Sequence, residues 1–277
     1  MVEINVDNYP RATESAARKP VAFRGGGFAP QPVRFVGLLV FVVLLLFLEL
    51  GTRTGFVSNL TLPRPSDVLV TFGEFVKSGG LWEHLIPSVT RFLVGSSIGV
   101  TLGVTCGIII GLFSVARSAL VPLTAALFPI PKIALLPLFV IWFGIGESSK
   151  YALIAFGTFT PTVIATYGAV DNVDRTLVRM AQSFGLDWFS IVRKIIVPGA
   201  MPGILSGLRI SLAIAIILLV AAEMLGAQHG IGAYVLQAGS LYNLEQLFVG
   251  VAILSLMGVI VSATIARIER RLLAWRG

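Results

Sequence analysis

Four ionisable residues lie within or at the ends of long apolar runs, where a charged side chain is costly unless it has a partner or a task. They are Glu49, Lys132, Arg209 and Glu223. A lysine in such a place can attract an anionic solute, and a carboxylate can relay protons. The runs carry no paired carboxylates, metal-spaced histidines or activated serine, so no residue is predicted to be catalytic or to bind a metal.

The run that contains Lys132 is interrupted by several prolines, which remove backbone donors and disrupt a helix. Irregular backbone at membrane depth is stable only where protein or a water-filled cavity covers it. Lys132 could attract an anionic substrate there, or it could hold a helix end through backbone carbonyls. We predict a translocation pathway that includes Pro131, Lys132, Pro137, Arg209 and Glu223.

The other three ionisable residues also have simpler interpretations. Arg209 lies one or two turns into its run, so its side chain can snorkel to the interface. Glu49 and Glu223 lie near the outer ends of theirs, where each can line a vestibule or sit at the interface. Together with Lys132, these two carboxylates could instead form the charge relay of a transporter driven by protons or sodium.

Composition places these residues in a membrane protein. The chain is 56% hydrophobic and 13% charged, and its mean hydropathy is +0.89, whereas soluble domains carry about 25% charged residues. Several runs reach the roughly 20 apolar residues that a membrane-spanning helix needs. The net charge of +7 fits basic cytoplasmic loops better than nucleic-acid binding, and Cys106 is interpreted as a buried thiol.

The predicted fold is all-α and polytopic, with six transmembrane helices. Residues 1–33 are predicted to be a disordered cytoplasmic tail, residues 34–270 a transmembrane domain and residues 271–277 a short cytoplasmic tail. Between the first two spans, the prolines of LPRPSDVL predict a turn and Ser66 an N-cap for a short outer helix. The six predicted spans are 35–51, 90–113, 118–143, 150–170, 203–225 and 246–266.

Charge asymmetry predicts the orientation. With the N-terminus inside, the outer segments hold four basic residues, or five if Arg91 lies outside the second span: Arg53, Arg64, Lys77 and Lys150. The cytoplasmic segments then hold fourteen, which fits the positive-inside rule and places both termini in the cytoplasm. These fourteen are Arg11, Arg18, Lys19, Arg24, Arg34, Arg117, Arg175, Arg179, Arg193, Lys194, Arg267, Arg270, Arg271 and Arg276.

The second predicted span carries a glycine at every fourth position. Such a stripe lets another helix approach closely, either for static packing or as a sliding surface in a transporter core. Both interpretations place this span at the centre of a bundle. The helix-packing glycines are Gly95, Gly99, Gly103, Gly107 and Gly111.

Residues 171–200 form a charged, helix-friendly loop between two apolar runs. Asp171 and Asp174 suit the start of a helix, and Gly185 suits the left-handed position that ends one. A second helix follows, with an apolar face opposite Arg193 and Lys194, and Pro198 and Pro202 are predicted to stop it. The loop is either an amphipathic hairpin resting on lipid or a docking element; its predicted apolar face is Trp188, Phe189, Ile191, Val192, Ile195 and Ile196.

The stretch from Ala181 to Pro198 resembles the cytoplasmic "EAA" loop of bacterial ABC importer permeases, with Gly185 and Pro198 at the matching places. Four further stretches resemble the permeases that serve sulfonates, taurine, nitrate and related small anions: LPRPSDVL, LWEHLIPSVTRFLVG, IPKIALLPLFVIWFGIGESSK and AAEMLGAQHGIGAYVLQAG. The resemblance covers the chain from about residue 35 onward. It departs at Arg179, where the family usually has glutamate, so a carboxylate contact cannot be carried over.

The resemblance implies the fold of a type I ABC importer permease and an assembly in the bacterial inner membrane. Two permease copies, two ATPase chains and an external binding protein would move a small anion inward by alternating access. The sequence has no GxxxxGK[ST] loop, so we expect no cofactor in this chain, with ATP and magnesium bound by the ATPase chains. The residues expected to couple to those chains are Arg179, Met180, Ala181, Ser183, Gly185, Leu186, Asp187, Trp188, Phe189 and Pro198.

Overall fold

The computed structural model describes residues 35–59 and 61–276, and the regular elements among them are all helical. The predicted tail at residues 1–33 lies outside the described residues. The chain divides after Leu48 into two units. The first holds most of helix α1, and the second holds every contact described below.

Five helices of the described residues are long and apolar enough to cross a membrane, and a bent pair, α4 with α5, makes a sixth if it counts as one span. This agrees with the six predicted spans. The helices are α1 Val36–Arg53, α2 Pro65–Lys77, α3 Gly80–Leu112, α4 Ser114–Leu127, α5 Leu136–Phe143, α6 Glu147–Asp171, α7 Arg175–Ser183, α8 Trp188–Ile191, α9 Val197–Met224, α10 Ile231–Ser240 and α11 Leu244–Leu272.

Two predicted helix starts differ from the structure. Helix α3 begins at Gly80 rather than near residue 90 and runs through Pro87. Helix α2 begins at Pro65, whose fixed φ suits the first helical position, with Arg64 as the N-cap. Ser66 is therefore not the cap; its amide and hydroxyl donate to the Glu49 carboxylate at 3.1 and 3.0 Å.

The predicted proline stop after the second loop helix is wrong. Residues Trp188–Met224 form one 37-residue helical run, in which a π-helical turn, Val192–Ile196, joins α8 to α9. The wider turn lies directly before Pro198, so the missing proline amide and the bulk of its ring are accommodated without a break. The loop is consequently continuous with the fifth span.

The glycine stripe of α3 packs against α6. A Cβ at Gly95 would lie 2.7 Å from the Ile154 Cβ, and one at Gly103 would lie 2.7 Å from the Thr162 Cβ. Contacts this short exclude any side chain, so the glycines are required for the two backbones to approach. One buried cluster joins α3, α6, α9 and α11; it consists of Phe92, Ile154, Ala215, Leu218, Leu219 and Met257.

Candidate docking surface and ion-pair network

Helix α7 opens the loop and has a defined cap at each end. The Asp174 carboxylate accepts the Thr176 amide at 2.7 Å. At the other end Gly185 has φ +72°, and the amides of Gly185 and Leu186 donate to the carbonyls of Gln182 and Ala181 at 2.9 and 3.1 Å. This pair of bonds is a Schellman motif, and it turns the chain sharply after α7.

Asp187 caps the second helix of the loop. Its carboxylate accepts the Ser190 amide at 3.1 Å. Hydrogen bonds from the Ser190 side chain and backbone hold the pKa of Asp187 below its ordinary value. The cap fixes the start of the long run that becomes α9, so the loop and the span are oriented as one piece.

The loop presents large apolar side chains to the surface, although its charged residues are also exposed. Phe184 is 77% exposed and Phe189 63% exposed. An exposed apolar patch rimmed by charge is typical of a protein interaction site. This loop surface consists of Leu177, Met180, Phe184, Trp188 and Phe189, and a groove of about 580 Å³ runs between α7 and Pro198, with Trp275 on its rim.

The remaining predicted coupling residues divide between this surface and the interior. Ala181 is buried at 5% exposure, and the Ser183 hydroxyl donates to the Arg179 carbonyl at 3.1 Å. The Arg179 side chain is exposed. Ile191, which belongs to the predicted apolar face, is buried at 6%, so that face does not lie wholly on the surface.

At the opposite ends of α6 and α9, Arg91, Glu147 and Glu223 form an ion-pair network, in which Arg91 and Glu223 are buried and Glu147 is partly exposed. Arg91 of α3 makes two hydrogen bonds to Glu147, from Nε at 2.6 Å and from Nη2 at 2.7 Å. Its Nη1 donates to Glu223 Oε1 at 2.8 Å and to the His229 carbonyl at 2.6 Å. The side chains of Arg91 and Glu223 are 5% and 0% exposed, so each charge depends on the other.

The turn before α10 completes this network. The Glu223 carboxylate also accepts the Ser88 hydroxyl at 2.8 Å and the Gly232 amide at 2.8 Å, and Ser88 accepts the Ile231 amide at 2.8 Å. A Cβ at Gly230 would lie 2.5 Å from the Glu223 Cδ. The turn therefore lies directly on the ion pair, and four elements meet at one carboxylate.

Sequence reasoning missed Arg91 as a member of any site. The second span was predicted to start at residue 90, which left Arg91 at the edge of the span and, if the span began later, in the outer segment. An arginine inside a span is a signal for a buried partner, and the correct start of α3 at Gly80 would have given that signal. Glu223 was expected at a vestibule or interface, but it is fully buried.

Lys132 lies in the break between α4 and α5, which meet at 92°. Its ammonium donates to the Phe128 carbonyl at the end of α4 and lies 5.2 Å from the Phe128 ring centroid. Of the two predicted roles, the structure shows this second one, the holding of a helix end. Pro131 precedes the 3₁₀ turn Lys132–Leu135, and Pro137 lies in the first turn of α5.

The other predicted pathway charges each have a separate partner. Arg209 Nη2 donates to Glu269 Oε2 of α11 at 2.7 Å, and Glu49 accepts Arg53 Nε at 2.7 Å. Neither lies in the ion-pair network. The structure therefore does not join Glu49, Lys132 and Glu223 in a relay among the described residues.

The described geometry is that of a helical membrane protein with a rigid, exposed loop. Residues 99–274 match the family described as binding-protein-dependent transport system inner membrane component. The chain belongs to this family. It is a permease of an ABC importer, a multi-pass protein whose family implies ATPase and binding-protein partners and the inner membrane.

Curated relatives match most of the permease. A Bacillus subtilis protein named for aliphatic sulfonates transport is 34% identical over 96% of this chain and 95% of its own length. The taurine transport system permease protein of Escherichia coli is 36% identical over 80% of this chain and 82% of its own. The riboflavin transport system permease protein of Chloroflexus aurantiacus is 34% identical over 87% and 90%.

A solved structure shows the same fold. An inward-facing form of the MetNI methionine ABC transporter superposes with a TM-score of 0.60 at 21% identity, covering 69% of this chain and 95% of that one. The permease therefore shares its helical architecture with an ABC importer of known structure. The type I importer permease fold that the resemblance implied is confirmed.

Proposed function

We propose that this permease imports a small sulfonate-type anion, with taurine as the first candidate, in an ATP-driven assembly. Two copies of the chain, two ATPase chains and an external binding protein make up that assembly. The observation that carries the proposal is the match to permeases named for aliphatic sulfonates and taurine over at least 80% of the chain. A riboflavin permease is 34% identical to this chain, so identity at this level does not fix the solute. Nitrate, bicarbonate and aromatic acids are therefore the alternatives to a sulfonate.

The ATPase chains dock on the loop at 171–200. Its exposed phenylalanine and tryptophan rings supply the apolar centre of an interface, and Arg175, Arg179, Arg193 and Lys194 supply a basic rim. An acidic side chain or a backbone carbonyl on the ATPase is the partner of Arg179. ATP and magnesium belong to the ATPase chains, and this chain supplies no cofactor.

The charge distribution supports a cytoplasmic position for the loop and both termini. Lys150, which was assigned to the outer side, and Arg91, which would join it if the second span began later, are both buried. They pair with Glu147, so they do not count as loop charges. The outer segments then retain Arg53, Arg64 and Lys77, so the excess of basic residues in the cytoplasmic segments over the outer segments becomes larger.

The continuous run Trp188–Met224 supports mechanical coupling. Closure of the ATPase dimer around ATP would displace the loop, and a helix without a break passes such a displacement to its far end. That end carries Glu223 and the ion-pair network. The cavity would open outward to accept solute from the binding protein, and hydrolysis would reset the inward-facing state.

A transporter driven by protons or sodium lacks support from the charge arrangement. Its predicted relay needs Glu49, Lys132 and Glu223 to exchange charge. Each of the three instead has its own partner: Arg53, the Phe128 carbonyl and Arg91.

The first experiment tests the energy source and the solute together. The permease is co-expressed with the ATPase and binding protein encoded beside it, reconstituted into liposomes and assayed for taurine uptake. We expect an ATPase chain to co-purify and uptake to require internal ATP and external binding protein. Uptake driven by a proton or sodium gradient without ATP would overturn the proposal, and ATP-dependent uptake of nitrate but not taurine would overturn the choice of solute.

A second experiment tests the docking surface. Phe189→Glu places a charge in the apolar centre of the loop surface, so we expect loss of ATPase co-purification and of ATP hydrolysis stimulated by the loaded binding protein. Phe56→Glu is the matched control, because Phe56 is 81% exposed and lies outside the loop. Normal coupling in the Phe189 variant would count against docking at this surface.

A further inference from the structure

The corner between α3 and α4, residues Ile110–Arg117, touches the loop at two separate points. Helix α3 ends at Leu112, and Phe113 adopts an extended conformation with φ −118° and ψ 120° before α4 begins. The chain therefore turns abruptly at Phe113. The turn places residues on both sides of it next to the loop.

The first contact is aromatic. The Phe113 ring centroid lies 5.8 Å from that of Trp188, with the planes tilted by 39°. Trp188 is the first residue of the run that continues into α9. Both rings are about half exposed, so this pair can rearrange without opening the protein core.

The second contact is ionic and lies at the other end of the loop. Arg117 donates through Nη2 to Asp171, the last residue of α6, and its Nε lies 3.4 Å from the Ile110 carbonyl. Beside it, Gly111 packs on Val170 of α6. The corner is thus attached to the start of the loop through Asp171 and to its second helix through Trp188.

We infer that the α3–α4 corner transmits loop displacement to the bent span α4–α5, with Phe113 and Arg117 as the positioning residues. This inference rests on the proposed function, in which ATPase closure moves the loop. Movement of the loop reaches α9 along the chain itself. The bent span α4–α5 does not continue directly from the loop as α9 does. The α3–α4 corner, from which α4 begins, attaches the bent span to the loop. The span then carries the movement to its break at Lys132.

The test is a labelling assay on the assembled permease and ATPase. Cys106, the single cysteine, is replaced by serine, and a reporter cysteine is placed at Ile133, which is 44% exposed beside the break. Maleimide labelling is measured without nucleotide and with ATP, magnesium and vanadate. In the parent we expect a nucleotide-dependent change in labelling rate, and its absence would overturn the inference.

Phe113→Ala should reduce that change by about two- to ten-fold, which is the worth of one aromatic pair. Phe113→Tyr should restore it, because a ring is retained. Val115→Ala is the matched control, since Val115 lies in the same corner and is 84% exposed. A full nucleotide response in the Phe113→Ala variant would overturn the aromatic half of the inference.

The ionic half is tested by charge exchange. Arg117→Asp should weaken the response by repelling Asp171, and the double variant Arg117→Asp with Asp171→Arg should restore it. Failure of the exchange to restore a response that the single variant had lost would overturn the role of Arg117. Each variant is compared for ATPase co-purification and for KM of ATP, which should not change. Loss of co-purification in the parent would overturn the proposed function instead.

Discussion

The two ends of the α6–α9 pair differ in whether their side chains have partners within the chain. At one end, Arg91 and Glu223 are buried and paired; the Ser88 hydroxyl and the Gly232 amide donate to Glu223, and Arg91 donates to the His229 carbonyl. At the other end, Phe184 and Phe189 are exposed. At the first end the two buried charges are paired within a single chain, whereas at the second end apolar side chains are exposed. The contrast predicts that a change to one member of the ion-pair network chiefly lowers stability, whereas a change to the exposed loop rings chiefly weakens partner binding.

The largest expected effect comes from breaking the ion pair between Arg91 and Glu223. Arg91→Leu leaves Glu223 buried without its cation, so we expect a loss of about 3–5 kcal/mol in the free energy of unfolding. The double variant Arg91→Leu with Glu223→Leu should recover much of that loss, because no charge is then unpaired. Melting of the detergent-solubilised protein, followed by size-exclusion chromatography, measures both. Lys77→Ala, an exposed charge removal, is the control and should change stability by about 0.5 kcal/mol or less.

An intermediate effect is expected at the seam between α3 and α6, where the glycines of α3 pack against α6. Gly103→Ala forces a methyl group against Thr162, and overpacking of this kind costs about 1–3 kcal/mol. Gly168→Ala on α6 meets nothing within 4 Å and should be neutral or slightly stabilising, because alanine favours a helix. Equal melting temperatures for the two variants would contradict a close-packed seam.

The smallest effect concerns the loop itself. Asp187→Ala removes the cap, and we expect faster hydrogen exchange at residues 188–191. Asp187→Asn should preserve protection, because asparagine also caps helices. Hydrogen bonds from Ser190 lower the pKa of Asp187 in the folded protein. The charged cap therefore stabilises the folded loop fully at pH values above the ordinary aspartate pKa. That contribution is lost as pH falls through the lowered pKa, and unchanged protection factors at residues 188–191 across this range in the parent would refute it.

Local features of the loop were well predicted because each depends on a few neighbouring residues. Gly185 was expected in the left-handed conformation, and it has φ +72°. Asp174 was expected at a helix start, and it caps α7, whereas Asp171, which was expected there too, is the last residue of α6. Pro198 was misjudged, because a proline rule does not reveal the π-helical turn that accommodates it.

The sequence by itself determined the helical membrane class, the family and the place of the loop along the chain, since these follow from hydropathy, glycine and proline placement and motif spacing. Only the tertiary structure decided which charges meet. Arg91 and Glu223 are 132 positions apart, and Phe113, between α3 and α4, contacts Trp188 at the start of α8. Such pairs depend on how each helix is rotated and packed against its neighbours. Periodicity within one segment carries no information about that arrangement.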